Sequence, residues 1–154
     1  MKTGLLFACL WLSFAMVAQS PADDFYYDHK DRKNSVSINI GNFLLTAGSW
    51  FIEEDGIKQL MKKSRRAKIL LSEENNFVNQ KEVNRLVRDL HRDHFESLAH
   101  IRTEGTEFDI YVKEDEHGYI RNILLLLNES DEFAMVSLEC KFRMDDVQCL
   151  LEEL

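Results

Sequence analysis

The stretch from Glu107 to Phe142 constrains the fold more than any other part of the sequence. Its first and third segments alternate apolar with polar side chains, which is the two-residue period of a strand with one buried face. Its middle segment ends in five consecutive apolar residues, Ile123 to Leu127, which is typical of a central strand covered on both faces. Short polar turns separate the segments. The sequence therefore predicts a meander of three strands, at residues 108–113, 119–127 and 133–142.

Shorter patterns predict the elements before and after this meander. Apolar alternation predicts three earlier strands, and helical spacing of apolar residues predicts helices between them. In the first helix Phe43, Ala47, Trp50 and Phe51 form a broad apolar face. A final helix places Met144, Val147, Leu151 and Leu154 inward. The strands are predicted at Ser35–Ile40, Ala67–Ser72 and Ala99–Thr103, and the helices start at Phe43, restart at Ile57, span Asn76–Ala99 and begin again at Asp145.

This order of elements predicts an α+β fold of one domain. We expect a two-layer sandwich in which a mixed, mostly antiparallel sheet of about six strands carries its helices on one face, with a C-terminal strand meander and a terminal helix. The early strand–helix–strand connections should cross over right-handed. The opposite sheet face, which carries Asp109, Tyr111 and Lys113, should be at least partly wet.

The amino terminus predicts export. Residues 1–18 combine Lys2 with an apolar core from Leu5 to Val17 that is too short to span a membrane. We expect a signal peptide that is cleaved near Ala18, a disordered polar leader at residues 19–33 and a single domain at residues 34–154. Within the leader, Phe25-Tyr26-Tyr27 either docks back on the domain or marks a partner contact.

Charge and cysteine content narrow the function classes. Loss of Lys2 changes the formal net charge from -8 to -9, which disfavours general attraction to nucleic acid or anionic lipid. Cys140 and Cys149 remain after processing, in a compartment that permits a disulfide. Two unpaired thiols are favoured over a bond, because Cys149 lies about 160° from the centre of the apolar face of its helix.

Several segments resemble the domain-of-unknown-function family 4252 (DUF4252). They include Ala67-Lys68-Ile69-Leu70-Leu71, Phe95-Glu96-Ser97-Leu98 and the three strands of the meander, and they cover roughly two-thirds of the chain. The resemblance implies a small exported protein of Gram-negative bacteria with an envelope location. It implies no catalytic residues. Many relatives look lipid-anchored, whereas Cys9 lies too early in this chain for lipid attachment.

Two sets of side chains are candidates for chemistry. His91 and His94, three residues apart on the long helix, could hold a metal together with a carboxylate, although partly buried structural histidines are more common in such positions. A basic run also stands out in an acidic chain. It could meet an acidic partner, a lipid headgroup or another copy of the chain, or it could be a solvated helix end. Its members are Lys58, Lys62, Lys63, Arg65, Arg66 and Lys68.

Two functions follow from these features. The favoured one is a non-enzymatic periplasmic or envelope-associated domain that needs no cofactor and binds another envelope protein or itself. It would use the basic run, the aromatic leader or the open sheet face. The alternative is a metal-dependent hydrolase that uses His91 and His94 with a carboxylate. The absence of any serine elbow or glycine-rich phosphate loop in the sequence favours the first.

Overall fold

A computed structural model describes residues 19–72, 78–129 and 132–143 of the chain. They form one sheet of six strands with helices packed on it, so the predicted α+β class is confirmed. The predicted signal peptide and the predicted terminal helix lie outside the described residues. In chain order the elements are α1 (Pro21–His29), β1 (Ser35–Gly41), α2 (Asn42–Gly48), a 3₁₀ turn (Ser49–Phe51), α3 (Asp55–Lys63), β2 (Ser64–Ser72), α4 (Gln80–Arg92), β3 (Glu96–Thr103), β4 (Thr106–Glu114), β5 (Tyr119–Asn128) and β6 (Phe133–Arg143).

The sheet is antiparallel throughout rather than mixed, in the order β1-β2-β6-β5-β4-β3. The expected right-handed crossover after β1 does not form. Instead β2 starts at the same end of the sheet at which β1 stops, and α2 and α3 connect the two strands there. The strands are therefore antiparallel, and Gly41 at the end of β1 pairs with Arg66 near the start of β2. The last described strand, β6, lies between β2 and β5 and joins the two halves of the sheet.

Strand register aligns apolar side chains into three rows across the sheet. Residues that face each other across antiparallel strands share a face, so each row is continuous from strand to strand. All three rows lie on one face, and two of them reach from one edge strand to the other. The rows are Val36, Leu71, Ala134, Leu127, Phe108 and Ile101; then Ile38, Ile69, Val136, Leu125, Ile110 and Ala99; and then Ile40, Ala67, Leu138, Ile123 and Val112.

Helices cover both faces of the sheet, not one face as expected. On the row-bearing face, Leu60 of α3 packs against a cluster that contains Ile120 and Phe142, and α2 packs on α3 and on β1 and β2. We call this the α2/α3 face. On the opposite face, α1 and α4 pack over a core that includes Tyr111, so the face that was expected to be wet is largely covered. Burial, with a further contribution from Asp109, raises the pKa of Tyr111.

The segment expected to be a disordered leader forms helix α1. Ser20 caps the helix and accepts a hydrogen bond from the backbone N–H of Ala22 at 3.3 Å, and Pro21 occupies the first turn. Ala22, Phe25, Tyr26 and His29 are buried against the sheet and α4. Docking of the aromatic cluster back on the domain is therefore confirmed for Phe25 and Tyr26.

Helix α2 and the 3₁₀ turn present their apolar face to solvent, which reverses the expectation that this face covers the sheet. Phe43 and Phe51 are 83% and 87% exposed, and Trp50 and Leu44 are also exposed. Leu45, on the other side of α2, is the buried residue of the helix. We call Phe43, Leu44, Trp50 and Phe51 the aromatic ridge.

Helix α4 is shorter than the predicted helix Asn76–Ala99. It ends at Arg92, and β3 already begins at Glu96. Leu98, which the predicted helix included, is therefore a strand residue and is exposed. The apolar residues of β3 happen to continue the helical spacing of α4, so the sequence predicted a helix that is too long.

His94 ends α4 in a left-handed backbone conformation, with φ of 63°. Its N–H donates to the carbonyl of His91 at 3.3 Å, and the N–H of Phe95 donates to the carbonyl of Leu90 at 2.9 Å. These two bonds form a Schellman motif, and Leu90 and Phe95 are both buried in the core as the motif favours. His94 therefore lies just after the helix, not within it as predicted.

Glu82 joins α1 to α4. Its carboxylate accepts a hydrogen bond from Arg32 at 2.9 Å and lies 3.6 Å from Nε2 of His29. It also accepts from the backbone N–H of Asn79 at 3.0 Å, which completes a capping box at the start of α4. Burial by itself raises the pKa of Glu82. The hydrogen bonds from Arg32 and Asn79 outweigh burial, so the pKa lies below its ordinary value of 4.5.

Replacing His94 with glycine should stabilise the protein. Glycine adopts positive φ without the steric cost that histidine carries, so His94→Gly should raise the free energy of unfolding by about 0.5–1 kcal/mol. His91→Gly, the same change inside α4, should lower it by about 0.5 kcal/mol or more. Urea unfolding followed by circular dichroism measures both. A loss of stability in His94→Gly would contradict the proposed role of the backbone at this position.

The charge of Glu82 should stabilise the fold only above acidic pH. Because its pKa is lowered in the folded state, its contribution is fully present above the ordinary value of 4.5 and is lost as pH falls through the folded pKa. Glu82→Gln keeps a capping side chain but removes the charge. Its deficit in stability should be largest at neutral pH and should disappear in acid. Urea midpoints over the acid range test this, and a deficit that does not depend on pH would contradict it.

Candidate functional site

A groove on the sheet face that α1 and α4 cover is lined by four cationic side chains. It has a volume of about 510 Å³ and lies beside the N-terminus of α1, where β2, β5 and β6 contribute its walls. A smaller polar cavity of about 20 Å³ adjoins it, enough space for one water molecule. We call the larger of the two, with its volume of about 510 Å³, the cationic groove. Its lining residues are Gln19, Ser20, Asp23, Tyr27, Arg65, Arg66, Lys68, Arg121, Asn122, Glu139 and Cys140.

Two β-bulges bring the arginines to this groove. The register between β2 and β6 shifts between Ser64 and Arg66, and the register between β5 and β6 shifts between Ile120 and Asn122. A bulge adds one residue to a strand and turns the neighbouring side chains. Arg65 is the extra residue of the first bulge. In the second bulge β6 carries the extra residue, and Arg121 of β5 lies opposite it. Both arginines line the groove.

Lys68 forms the floor of the groove as part of a buried ion pair. It is 2% exposed, and its Nζ donates to the carboxylate of Asp23 on α1 at 2.6 Å. The ammonium group also lies 4.8 Å from the ring centre of Tyr27 and 5.8 Å from that of Tyr26. Helix α1 thus supplies both the counter-charge and the aromatic surroundings that allow a lysine to be buried here.

The remaining cations of the groove differ in their partners. Arg65 lies 3.7 Å from Glu139, and Arg121 lies 3.6 Å from Asp115. Hydrogen bonds from the backbone of the turn hold the pKa of Asp115 below its usual range, so it stays ionised. Arg66 makes no salt bridge with any carboxylate in the described part of the chain. Its guanidinium is therefore the group best placed to receive a new anion.

The basic run is split by the fold. Arg65, Arg66 and Lys68 line the cationic groove together with Arg121. Lys58, Lys62 and Lys63 lie on α3, on the other side of the sheet. Sequence reasoning grouped these six because they are close in the chain, and it missed Arg121 and Asp23. A signal for Arg121 was present, because Arg121-Asn122 interrupts an otherwise apolar central strand.

The sequence matches the family model described as Domain of unknown function (DUF4252) over residues 26–150. This match covers most of the chain. The chain belongs to the DUF4252 family. No curated protein and no solved structure matches it.

The histidines of the DUF4252 chain do not form a ligand set in the described ranges. His91 packs edge-on against Tyr111, with ring centres 5.9 Å apart, and His94 ends α4. His100 pairs with Asp109 at 2.6 Å on β3 and β4. Within residues 19–72, 78–129 and 132–143, no three histidine, cysteine or acidic side chains come close enough to hold a metal ion.

Cys140 is buried and is not in a disulfide. Burial raises its pKa to about 12, so the thiol stays protonated and unreactive at physiological pH. Cys149 lies outside the described residues. None of the helices that the structure describes in this DUF4252 chain has the length and apolar character needed to cross a membrane.

Removing the partner of Lys68 should destabilise the protein more than removing Lys68 itself. Asp23→Ala leaves an ammonium group buried without its counter-charge and should cost about 2 kcal/mol, less than for a fully buried pair because Asp23 is partly exposed. Lys68→Met replaces the charge with an apolar chain of similar length and should cost less than about 1 kcal/mol.

The double variant Asp23→Ala/Lys68→Met serves as the control for this prediction. If the cost of Asp23→Ala comes from the buried charge, most of it should vanish in the Lys68→Met background. Urea unfolding of all four proteins gives the coupling energy. Equal costs of Asp23→Ala in the two backgrounds would show that the carboxylate acts only at the helix terminus.

Proposed function

We propose that the protein is an exported, non-enzymatic envelope domain that binds an acidic segment of a partner protein in the cationic groove. The observation that carries this proposal is the composition of the groove lining. Four cations, Arg65, Arg66, Lys68 and Arg121, stand there against the carboxylates of Asp23 and Glu139, although the chain as a whole has a formal charge of -8.

The arrangement of these groups favours a carboxylate ligand over a reaction. Arg66 has no carboxylate partner in the described residues, and an arginine fork suits the two oxygens of a carboxylate. The groove is open and partly polar, which fits an extended segment of a protein better than an enclosed small molecule. A positive groove on an acidic protein also favours fast encounter with an acidic partner.

Processing would strengthen the groove. Gln19 and Ser20 line it, and the predicted cleavage site near Ala18 lies directly before them. Cleavage after Ala18 would leave the new α-amino group on a residue that lines the groove. An α-amino group is largely protonated at neutral pH, so it would add positive charge. In this proposal the exported form is the form that binds.

Charge reversal in the groove should abolish binding. We expect Arg66→Glu/Arg121→Glu to weaken binding of a synthetic oligo-glutamate peptide about tenfold or more, because two attractive contacts become repulsive. The same variant should lose the crosslinked species that wild-type protein forms in the envelopes of cells expressing residues 1–154. Fluorescence anisotropy of the labelled peptide and mass spectrometry of the crosslinked protein measure these effects.

Lys58→Glu/Lys62→Glu is the matched control. It makes the same change of charge on α3, outside the groove, and both residues belong to the basic run of the sequence. Peptide affinity and crosslinks should be retained in this variant. If the two variants weaken binding equally, net charge and not the groove is responsible. Unchanged crosslinks in the groove variant would remove the groove from the proposal.

A further inference from the structure

The two edges of the sheet differ in chemistry. At one edge, β3 carries Glu96, His100 and Arg102 and has a register shift between Ser97 and Ala99. Charged residues and bulges are the devices by which sheets block pairing with another strand at an edge. The other edge, β1, has none of them. Its sequence, Ser-Val-Ser-Ile-Asn-Ile-Gly, is uncharged, contains no proline and pairs with β2 without a bulge.

An uncharged surface continues from β1 onto the helix that follows it. Residues 34–52 contain no aspartate, glutamate, lysine or arginine, although 30% of the chain consists of these residues. The segment includes all of β1, α2 and the aromatic ridge. Val36 and Ile38 are exposed and lie on the α2/α3 face, the same face on which α2 packs. The β1 edge, these two side chains and the aromatic ridge therefore border one region of the surface.

The area of this region is large for a monomer. Phe43, Trp50 and Phe51 are each more than 70% exposed and together expose about 500 Å² of largely apolar surface, taking about 150–250 Å² for each full side chain. The largest apolar patch on a monomeric protein is typically about 300–600 Å² and is often functional, so these three side chains alone reach that range. A standard protein interface buries about 800 Å² on each partner. The ridge supplies more than half of that, and Leu44, Val36, Ile38 and the strand edge supply further area.

We propose that this region is the interface of a homodimer, in which the β1 strands of two copies pair antiparallel and extend the sheet from six to twelve strands. A two-fold axis perpendicular to the sheet keeps the α2/α3 faces of both copies on the same side. Antiparallel pairing places the Gly41 end of one strand beside the Ser35 end of the other. The ridge that follows Gly41 then packs over Val36 and Ile38 of the second copy, and the contact is reciprocal.

Local charge favours a second copy over a membrane surface. The chain is acidic, yet both halves of this interface are uncharged, so the two copies meet without like-charge repulsion at the contact. An anionic lipid surface would meet the exposed acidic residues Glu53, Glu54 and Asp55, which directly follow the ridge. A two-fold interface uses the same surface on both copies, so that surface must be complementary to itself. The uncharged strand β1 meets this requirement.

Sedimentation velocity of the protein produced by expressing residues 1–154 tests the dimer. Wild-type protein should sediment as a dimer that dissociates on dilution. Val36→Lys should raise the dissociation constant about tenfold or more, because it places a charge in each copy of the interface. Ile101→Lys is the matched control, since Val36 and Ile101 are 49% and 52% exposed at opposite ends of the same apolar row. It should leave the dimer intact.

Trp50 gives an independent measurement. It is the only tryptophan outside residues 1–18 and is exposed in a single copy, so its quenching by acrylamide should increase as the wild-type dimer dissociates. If Val36→Lys fails to fold by circular dichroism, Trp50→Ser/Phe51→Ser replaces it and should likewise give monomer. Arg66→Glu/Arg121→Glu should remain dimeric, so that loss of groove binding and loss of the dimer are separate results.

Three results would overturn the proposal. The first is a wild-type protein that is monomeric at the highest soluble concentration. The second is a dimer that Ile101→Lys disrupts as strongly as Val36→Lys does. The third is a monomer that binds vesicles of mixed zwitterionic and anionic phospholipid through Trp50 and Phe51, which would make a membrane the occupant of the ridge.

Discussion

The burial of one lysine determines how the rest of the domain is held together. Lys68 lies on β2 and is 2% exposed, and a bare ammonium group there would cost several kcal/mol. Asp23 offsets that cost only when α1 is docked on the sheet. The same helix buries Phe25 and Tyr26 and is tied to α4 through Glu82, so docking of α1 completes the core of this face. The cationic groove exists because α1 closes one of its sides.

Sequence periodicity predicted the strands well, because alternation depends on which face of a sheet each residue occupies. The meander, the strand at Ser35 and the strand at Ala67 all form within a few residues of their predicted bounds. Helix α1 was missed although its signals were present: a serine cap, a proline in the first turn, two aspartates behind it and apolar residues at helical spacing. Their polar neighbours made the segment resemble a disordered leader.

Other features depend on tertiary placement that periodicity cannot supply. The apolar stripe of α2 predicted a helix, but only the packing of Leu45 shows that the stripe faces solvent. The extent of α4 depended on His94, a residue whose type gives little indication of a left-handed turn. The cationic groove combines residues from α1, β2 and β5 that are far apart in the chain. Its arginines lie at two β-bulges, and an alternation pattern in the sequence does not reveal a bulge.

The place of β6 in the sheet has a consequence for how the chain folds. Strands β1 and β2 form one half of the sheet, β3 to β5 form the other, and only the last described strand pairs with both. The sheet therefore cannot be completed before β6 has been synthesised. Strand order thus delays completion of the sheet until residues 133–143 are available, which suits the export proposed for this protein.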